Sequence, residues 1–208
     1  PLLEGLAIPR CIKPKDFGDV GSTQLHVFSD ASTTGYGAAA YIRLCNNAGE
    51  IYTALLMGKS RIVPIKATTI PRLELTAATV AVNLAQHILK EIDLHVDHTF
   101  YHTDSTTVLH YIHSEQKRFP VFVANRVKLI CDFSTKSQWR YIESKENPAD
   151  IASRGLTGQE MVTSSMWFEG PTFLKDPEDS WSKAAWFEPS DSEMISFAVD
   201  SKEKHASE

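Results

Sequence analysis

Leu25-His26-Val27-Phe28-Ser29-Asp30, followed by Ala31-Ser32-Thr33-Thr34-Gly35, decides how the rest of this chain is read. Leu25, Val27 and Ser29 alternate with His26 and Phe28, which is the period of a strand. The run stops at an aspartate and a hydroxyl-rich turn. The arrangement returns at Thr99-Phe100-Tyr101-His102-Thr103-Asp104, followed by Ser105-Thr106-Thr107. If the two strands are parallel neighbours, both aspartates emerge at one edge of a sheet.

Working outward, Tyr36 to Leu44 reads as a second strand, with small residues at Gly37-Ala38-Ala39-Ala40. Asn46-Asn47-Ala48-Gly49 is a hairpin-type loop, and Glu50 to Lys59 a third strand. Thr68-Thr69-Ile70-Pro71 is a good helix start, with Thr69 or Ile70 near the N-cap and Pro71 in the first turn. The helix runs to about Leu89, burying Leu73, Ala77, Val80, Leu84 and Ile88 at helical spacing. Asp97 to Thr103 is the fourth strand. Helices follow through Val108-Leu109 and Ile112 and from Pro120 to Phe133. Gln138 to Ile142 is the fifth strand, and Asn147 to Ser153 a short last helix. The order βββαβααβα predicts an α/β fold, a mixed five-stranded sheet flanked by helices.

The chain has 208 residues and 42% hydrophobic content, enough for one domain and an extension. Residues 1–23 read as a connector, 24–155 as the main domain, and 156–208 as a Trp-containing extension with an acidic tail that is disordered from Pro189. The Trp-rich part is expected to pack back onto the domain. The net charge of −5 divides unevenly. Residues 1–155 carry 17 basic and 15 acidic side chains, whereas 156–208 carry 4 and 11. The working part is mildly basic, as a nucleic-acid partner requires. There is no apolar run long enough for a membrane span. Three widely spaced cysteines, Cys11, Cys45 and Cys131, read as reduced thiols of an intracellular protein. His110 and His113, one helical turn apart, read as partly exposed helix residues.

Four carboxylates stand out: Asp30 and Asp104 at strand ends, Glu74 early on the long helix and Asp150 at the start of the last helix. Hard divalent cations take oxygen ligands, and a two-metal phosphodiester hydrolase needs several carboxylates converging from separate elements. Each acid also has a structural reading. Asp104 suits an N-cap, and Asp150 a first-turn acid favoured by the helix dipole. Glu74 has no such reading: it sits off the buried stripe beside Ala78, Ala81 and Ala85, small residues that let the helix lie close to a sheet edge.

Phe28-Ser29-Asp30-Ala31-Ser32, Ile70-Pro71-Arg72-Leu73-Glu74-Leu75, Tyr101-His102-Thr103-Asp104-Ser105 and Lys145-Glu146-Asn147-Pro148-Ala149-Asp150-Ile151-Ala152-Ser153-Arg154-Gly155 together resemble the ribonuclease H domain of retroelement polyproteins. The nearest resemblance is to the Bel/Pao group of LTR retrotransposons. Ile8-Pro9-Arg10-Cys11 and Trp167-Phe168-Glu169-Gly170-Pro171-Thr172-Phe173-Leu174 are also similar to that group.

The resemblance implies a ribonuclease H-like fold and an endonuclease acting on the RNA strand of RNA–DNA hybrids. Two Mg²⁺ ions are implied, with Mn²⁺ as a substitute. Asp30 would bridge them, with Glu74 and Asp104 on one and Asp150 on the other. Thr69 matches a phosphate-contacting threonine, and Arg72 a basic residue before the catalytic glutamate. Ser32 and Ser105 join them as substrate contacts, and Lys117-Arg118 is a substrate handle. The implied partners are the hybrid and an upstream reverse transcriptase domain of the same polyprotein. The isolated domain is expected to be monomeric and away from membranes, in a cytoplasmic retroelement particle or in the nucleus.

There are departures. The loop Glu143-Ser144-Lys145-Glu146 lacks the mobile histidine of many relatives. Ile70 and Thr106 stand where cellular enzymes carry Asn and Gln. Two other readings compete: a non-catalytic ribonuclease H-like scaffold, and another nuclease of the superfold, of integrase or resolvase type. Against the first, all four acids are present. Against the second, the glutamate comes second in the order.

Overall fold

A computed structural model describes residues 6–8, 11–65, 68–114 and 118–181. Five strands form one sheet: β1 (Val20–Ala31), β2 (Gly35–Asn46), β3 (Ile51–Ile62), β4 (His98–Thr103) and β5 (Trp139–Tyr141). Their order is β3-β2-β1-β4-β5. The first three form an antiparallel meander, and β4 and β5 add in parallel. The mixed sheet expected from the sequence is present. β1 begins at Val20 and Phe17 is buried against Ile42 and Leu44, so the sheet and its core reach back into the stretch read as a connector.

Helix α1 (Ile70–Glu91) lies across β1 and β2, with α2 (Thr106–His113) and α3 (Val121–Phe133) beside it. Thr69 is its N-cap and proline fills the first turn. All five residues of the expected stripe are buried. Val80, Leu84 and Ile88 meet Leu25, Val27, Ala38, Ala40 and Tyr101 in the main core, and Leu73 and Ala77 pack with Ala31 in a smaller cluster. Each fully buried Leu, Val or Ile contributes about 1.5–3 kcal/mol.

The opposite face of the sheet is closed by α4 (Ala149–Arg154), α5 (Gly158–Thr163), α6 (Ser165–Glu169) and the 3-10 turn Thr172–Lys175. Leu174 is fully buried there, with Phe28, Tyr41 and Ala149. Tyr41 donates its hydroxyl to the Trp167 carbonyl at 2.9 Å. Arg43 donates to the carbonyls of Leu174 and Asp176 at 2.8 and 2.9 Å. The described part of the extension thus lies directly against the sheet. Pro189 and the acidic tail lie outside the described residues.

Both faces being covered explains why the alternating β1 is buried along most of its length. His26 and His102, which the strand pattern would allow to face water, are 0% and 4% exposed. His110 is buried as well, not partly exposed; His113 is half-buried. Cys11, Cys45 and Cys131 are free thiols. Among the described residues no helix is long and apolar enough to cross a membrane.

Candidate carboxylate site at the sheet edge

The parallel ladder between β1 and β4 ends at the pair Ser29–Thr103. Asp30 and Asp104 therefore leave the sheet side by side, at the C-terminal ends of neighbouring strands. Glu74 reaches the same edge from the start of α1, and Asp150 from the first turn of α4. The approach of α4 depends on glycine: a Cβ at Gly35 would lie 2.6 Å from the Ser153 carbonyl. Any side chain there would push α4, and Asp150 with it, off the sheet.

Each carboxylate is tethered. Asp30 is 6% exposed and accepts from the Ser153 hydroxyl at 2.7 Å. Glu74 accepts from the Ser105 hydroxyl at 2.7 Å. Asp104 accepts from the Ser144 hydroxyl and, at 3.4 Å, from the Asn147 amide. Asp150 pairs with Arg154 at 2.6 Å. Asn147 is 1% exposed and also donates to the Ser29 carbonyl at 3.1 Å, so one side chain joins β1, the Asp104 carboxylate and the start of α4.

Burial raises the Asp30 carboxyl to about 6; the Ser153 hydrogen bond opposes the rise, and the charges of Asp104 and Asp150 add to it. Burial also raises Glu74, opposed by Ser105 and reinforced by Asp104. The acids therefore feel one another as like charges, offset at Asp150 by its pair with Arg154. Four carboxylates under mutual repulsion are a donor set that hard cations fit. Among the described residues no three candidate ligands converge as a finished metal cage. The tethers supply a physical reason, since each carboxylate is drawn toward its own serine, asparagine or arginine.

The sequence of residues 3–105 matches the model of the Pao retrotransposon-like RNaseH-like domain. The match takes in Asp30, Glu74 and Asp104 and stops before Asp150. Among solved structures, the chain is similar to the N-terminal RNase H domain of a Mycobacterium tuberculosis protein, at 11% identity and a TM-score of 0.42, covering 68% of this chain and 97% of that one. It is likewise similar to RNase H1 from the archaeon Halobacterium salinarum, at 14% identity and a TM-score of 0.39, covering 64% and 94%. A third is LC11-RNase H1 in complex with an RNA/DNA hybrid, at 14% identity and a TM-score of 0.40, covering 63% and 93%. No curated protein matches the chain.

Within this RNase H-like domain the remaining site residues divide. Thr69, Arg72 and Arg118 are exposed beside the carboxylate edge or on the flank that follows α2. Arg72 lies 5.2 Å from the centre of the Phe122 ring, and Arg126 lies 3.4 Å from it. Lys117 lies outside the described residues. Ser32 and Ser105, expected as substrate contacts, are each 5% exposed and engaged within the fold. Ser32 donates to the Ser153 carbonyl at 3.0 Å, which holds the β1–β2 turn against α4. Ser105, not Asp104, caps α2 by accepting from the Val108 amide. That correction frees the Asp104 carboxylate from backbone duty.

Three site residues were missed by sequence reasoning: Ser144, Asn147 and Ser153. Asn147-Pro148 did mark a helix start, but nothing in a run of polar residues says which one turns inward. Glu143 and Lys145 pair with each other at 2.6 Å, and Ser144 between them is the loop residue that touches an acid.

Proposed function

We propose that this domain hydrolyses the RNA strand of an RNA–DNA hybrid by two-metal-ion catalysis during reverse transcription of a retroelement. One observation carries the reading: Asp30 and Asp104 end adjacent parallel strands, with Glu74 and Asp150 brought to the same edge by α1 and α4. The match of residues 3–105 to the Pao retrotransposon-like RNaseH-like domain supports the same class of chemistry.

Asp30, Glu74, Asp104 and Asp150 would hold two Mg²⁺ ions, or Mn²⁺ in their place. When bound, such ions supply an activated water and charge stabilisation at the leaving 3′-oxygen. The chain's own residues do the rest. Ser153 and Ser105 keep Asp30 and Glu74 aimed at the edge, and Asn147 holds Asp104 in register with β1. Exposed Thr69, Arg72 and Arg118 flank the edge and suit backbone phosphates, whose contribution falls with salt. The domain would act beside a reverse transcriptase domain of the same polyprotein, in a cytoplasmic retroelement particle or in the nucleus.

The test is cleavage of an end-labelled RNA–DNA hybrid with Mg²⁺, Mn²⁺ or EDTA, beside matched double-stranded DNA and double-stranded RNA. Metal-dependent cutting confined to the RNA strand of the hybrid is expected. Cutting of plain duplex DNA would move the assignment to the integrase or resolvase type. Hybrid binding with no cutting in any metal would move it to a scaffold.

A further inference from the structure

β3 is an edge of the sheet, and among the described residues no strand lies beyond it. Gly58 to Ile62, at its C-terminal end, are all exposed. The Val63 amide donates to the Thr34 carbonyl at 3.1 Å. Bonding alternates along an antiparallel ladder, so Lys59 and Arg61 are bonded to β2, whereas Gly58, Ser60 and Ile62 turn their N–H and C=O groups outward. An unpaired edge of this kind is a template for one more strand.

The two faces of this edge differ in kind. On the α4 face lies a groove of about 620 Å³. Ser60 marks that face, donating its hydroxyl to the Ala152 carbonyl at 2.6 Å. Ile62, Ile151, Leu156, Met161 and Trp167 give the groove an apolar lining. Gly58 lets the Trp167 ring close against the strand, since a Cβ there would lie 2.8 Å from it. Arg154 lines the groove too, but it is already paired with Asp150. On the opposite, α1 face stand Lys59 and Arg61, which pair with Ala38 and Tyr36 and are exposed. β3 carries no acid from Ile51 to Ile62, and neither cation has an acidic partner among the described residues.

We propose that this edge binds an extended segment of another polypeptide as a sixth strand, one in which apolar and acidic residues alternate. Main-chain hydrogen bonds to Gly58, Ser60 and Ile62 supply the affinity, and the two faces supply the selection. Successive side chains of a strand point to opposite faces. The apolar ones enter the groove, and the acidic ones lie across from Lys59 and Arg61. The same charges argue against a second copy of this chain. Pairing β3 with β3 sets Lys59 and Arg61 of both copies on one face, and like charges across a strand pair are destabilising. The proposal stands on the strand edge and is independent of the chemistry proposed for the acids.

The experiment uses the whole chain and a capped, fluorescein-labelled peptide in which valine alternates with glutamate, read by fluorescence anisotropy. Saturable binding is expected. A peptide with lysine in place of each glutamate should bind at least about fivefold more weakly, through loss of two cross-strand charge pairs. Lys59→Glu/Arg61→Glu, at exposed positions, should invert that preference. Ile62→Ser, also exposed, should weaken the glutamate peptide about threefold by removing apolar surface from the groove. Two further peptides are N-methylated, one at every valine and one at every glutamate. Methylation of the amides that face β3 removes the ladder donors, so at least one of the two should lose binding. Absence of saturable binding, equal affinity for the glutamate and lysine peptides, or full binding of both methylated peptides would overturn the proposal. So would a dimer of the chain whose formation blocks the peptide, which would give the edge to a second copy.

Discussion

His26 and Asp30 stand four residues apart on the same face of β1, both buried, yet their surroundings treat them in opposite ways. Around His26 the extension has closed the sheet. His26 meets His102 at 3.1 Å and Gln24 at 3.2 Å, and its ring lies among Phe100, His102 and Trp181. Burial pushes both imidazoles down, His102 to about 3, so they are neutral partners in a packed aromatic layer. Around Asp30 the sheet edge is open and three more acids arrive. Burial there leaves like charges facing one another, opposed by hydrogen bonds from Ser153 and Ser105 and by the pairing of Arg154 with Asp150. Buried titratable groups thus occur at both ends of one strand. Only the end where several acids crowd together has the character of a reactive site.

The comparison can be broken most severely by removing the cover. A chain ending at Gly155 loses Leu174, Phe173, Trp167 and Trp181 from the histidine face. It also removes the carbonyl acceptors of Arg43, which is only 4% exposed. The cost of exposing that layer and stranding the guanidinium exceeds about 4 kcal/mol. Loss of a cooperative thermal transition is expected; a truncated chain that melts like the parent would contradict the account.

A milder test leaves the cover in place. His102→Phe keeps the stack on Phe28 but strands Nδ1 of His26. At pH 7 it should cost about 1–3 kcal/mol by denaturant titration. The sign with pH follows from the depressed His102. The unfolded chain takes up a proton below about 6.5 while the folded one resists to about 3, so the parent loses stability as pH falls through that window. The gap between parent and variant should therefore narrow at pH 5.

The smallest effect belongs to the acid end and has the opposite sign. Asp30 is raised from 3.8 to about 6, so ionising it costs the metal-free fold stability as pH rises through that interval. Asp30→Asn should stabilise the metal-free protein by about 1–2 kcal/mol at pH 7.5, after allowance for solvent screening. The gain should vanish near pH 3.5, where both side chains are neutral. Added Mg²⁺ should narrow the gain at pH 7.5 by stabilising the parent alone.

Much of this was legible beforehand. Strand period, the Thr69-Ile70-Pro71 start and the stripe from Leu73 to Ile88 placed the sheet and α1, because burial on one face imposes a period. The four acids were legible because each follows a strand end or a helix start. What could not be read was the second face. The alternation in β1 marks two faces but not whether both are covered, and the segment that covers one lies more than a hundred residues downstream. The burial of the serines was illegible for a related reason. Hydroxyls in a turn look available, and only the approach of α4 at Gly35 and of α1 at Ser105 shows that Ser32 and Ser105 are already engaged.

The most direct test of the central claim is Asp104→Asn measured beside the unmodified domain on one RNA–DNA hybrid with Mg²⁺. Among the described residues Asp104 is hydrogen-bonded to Ser144 and Asn147, and a neutral amide of the same shape keeps the fold. Cleavage is predicted to fall by at least about a thousandfold, as loss of a metal ligand requires, with unchanged secondary structure and retained hybrid binding. Cleavage at the parent's rate in a folded Asp104→Asn protein would contradict the assignment of this edge as the site of hydrolysis.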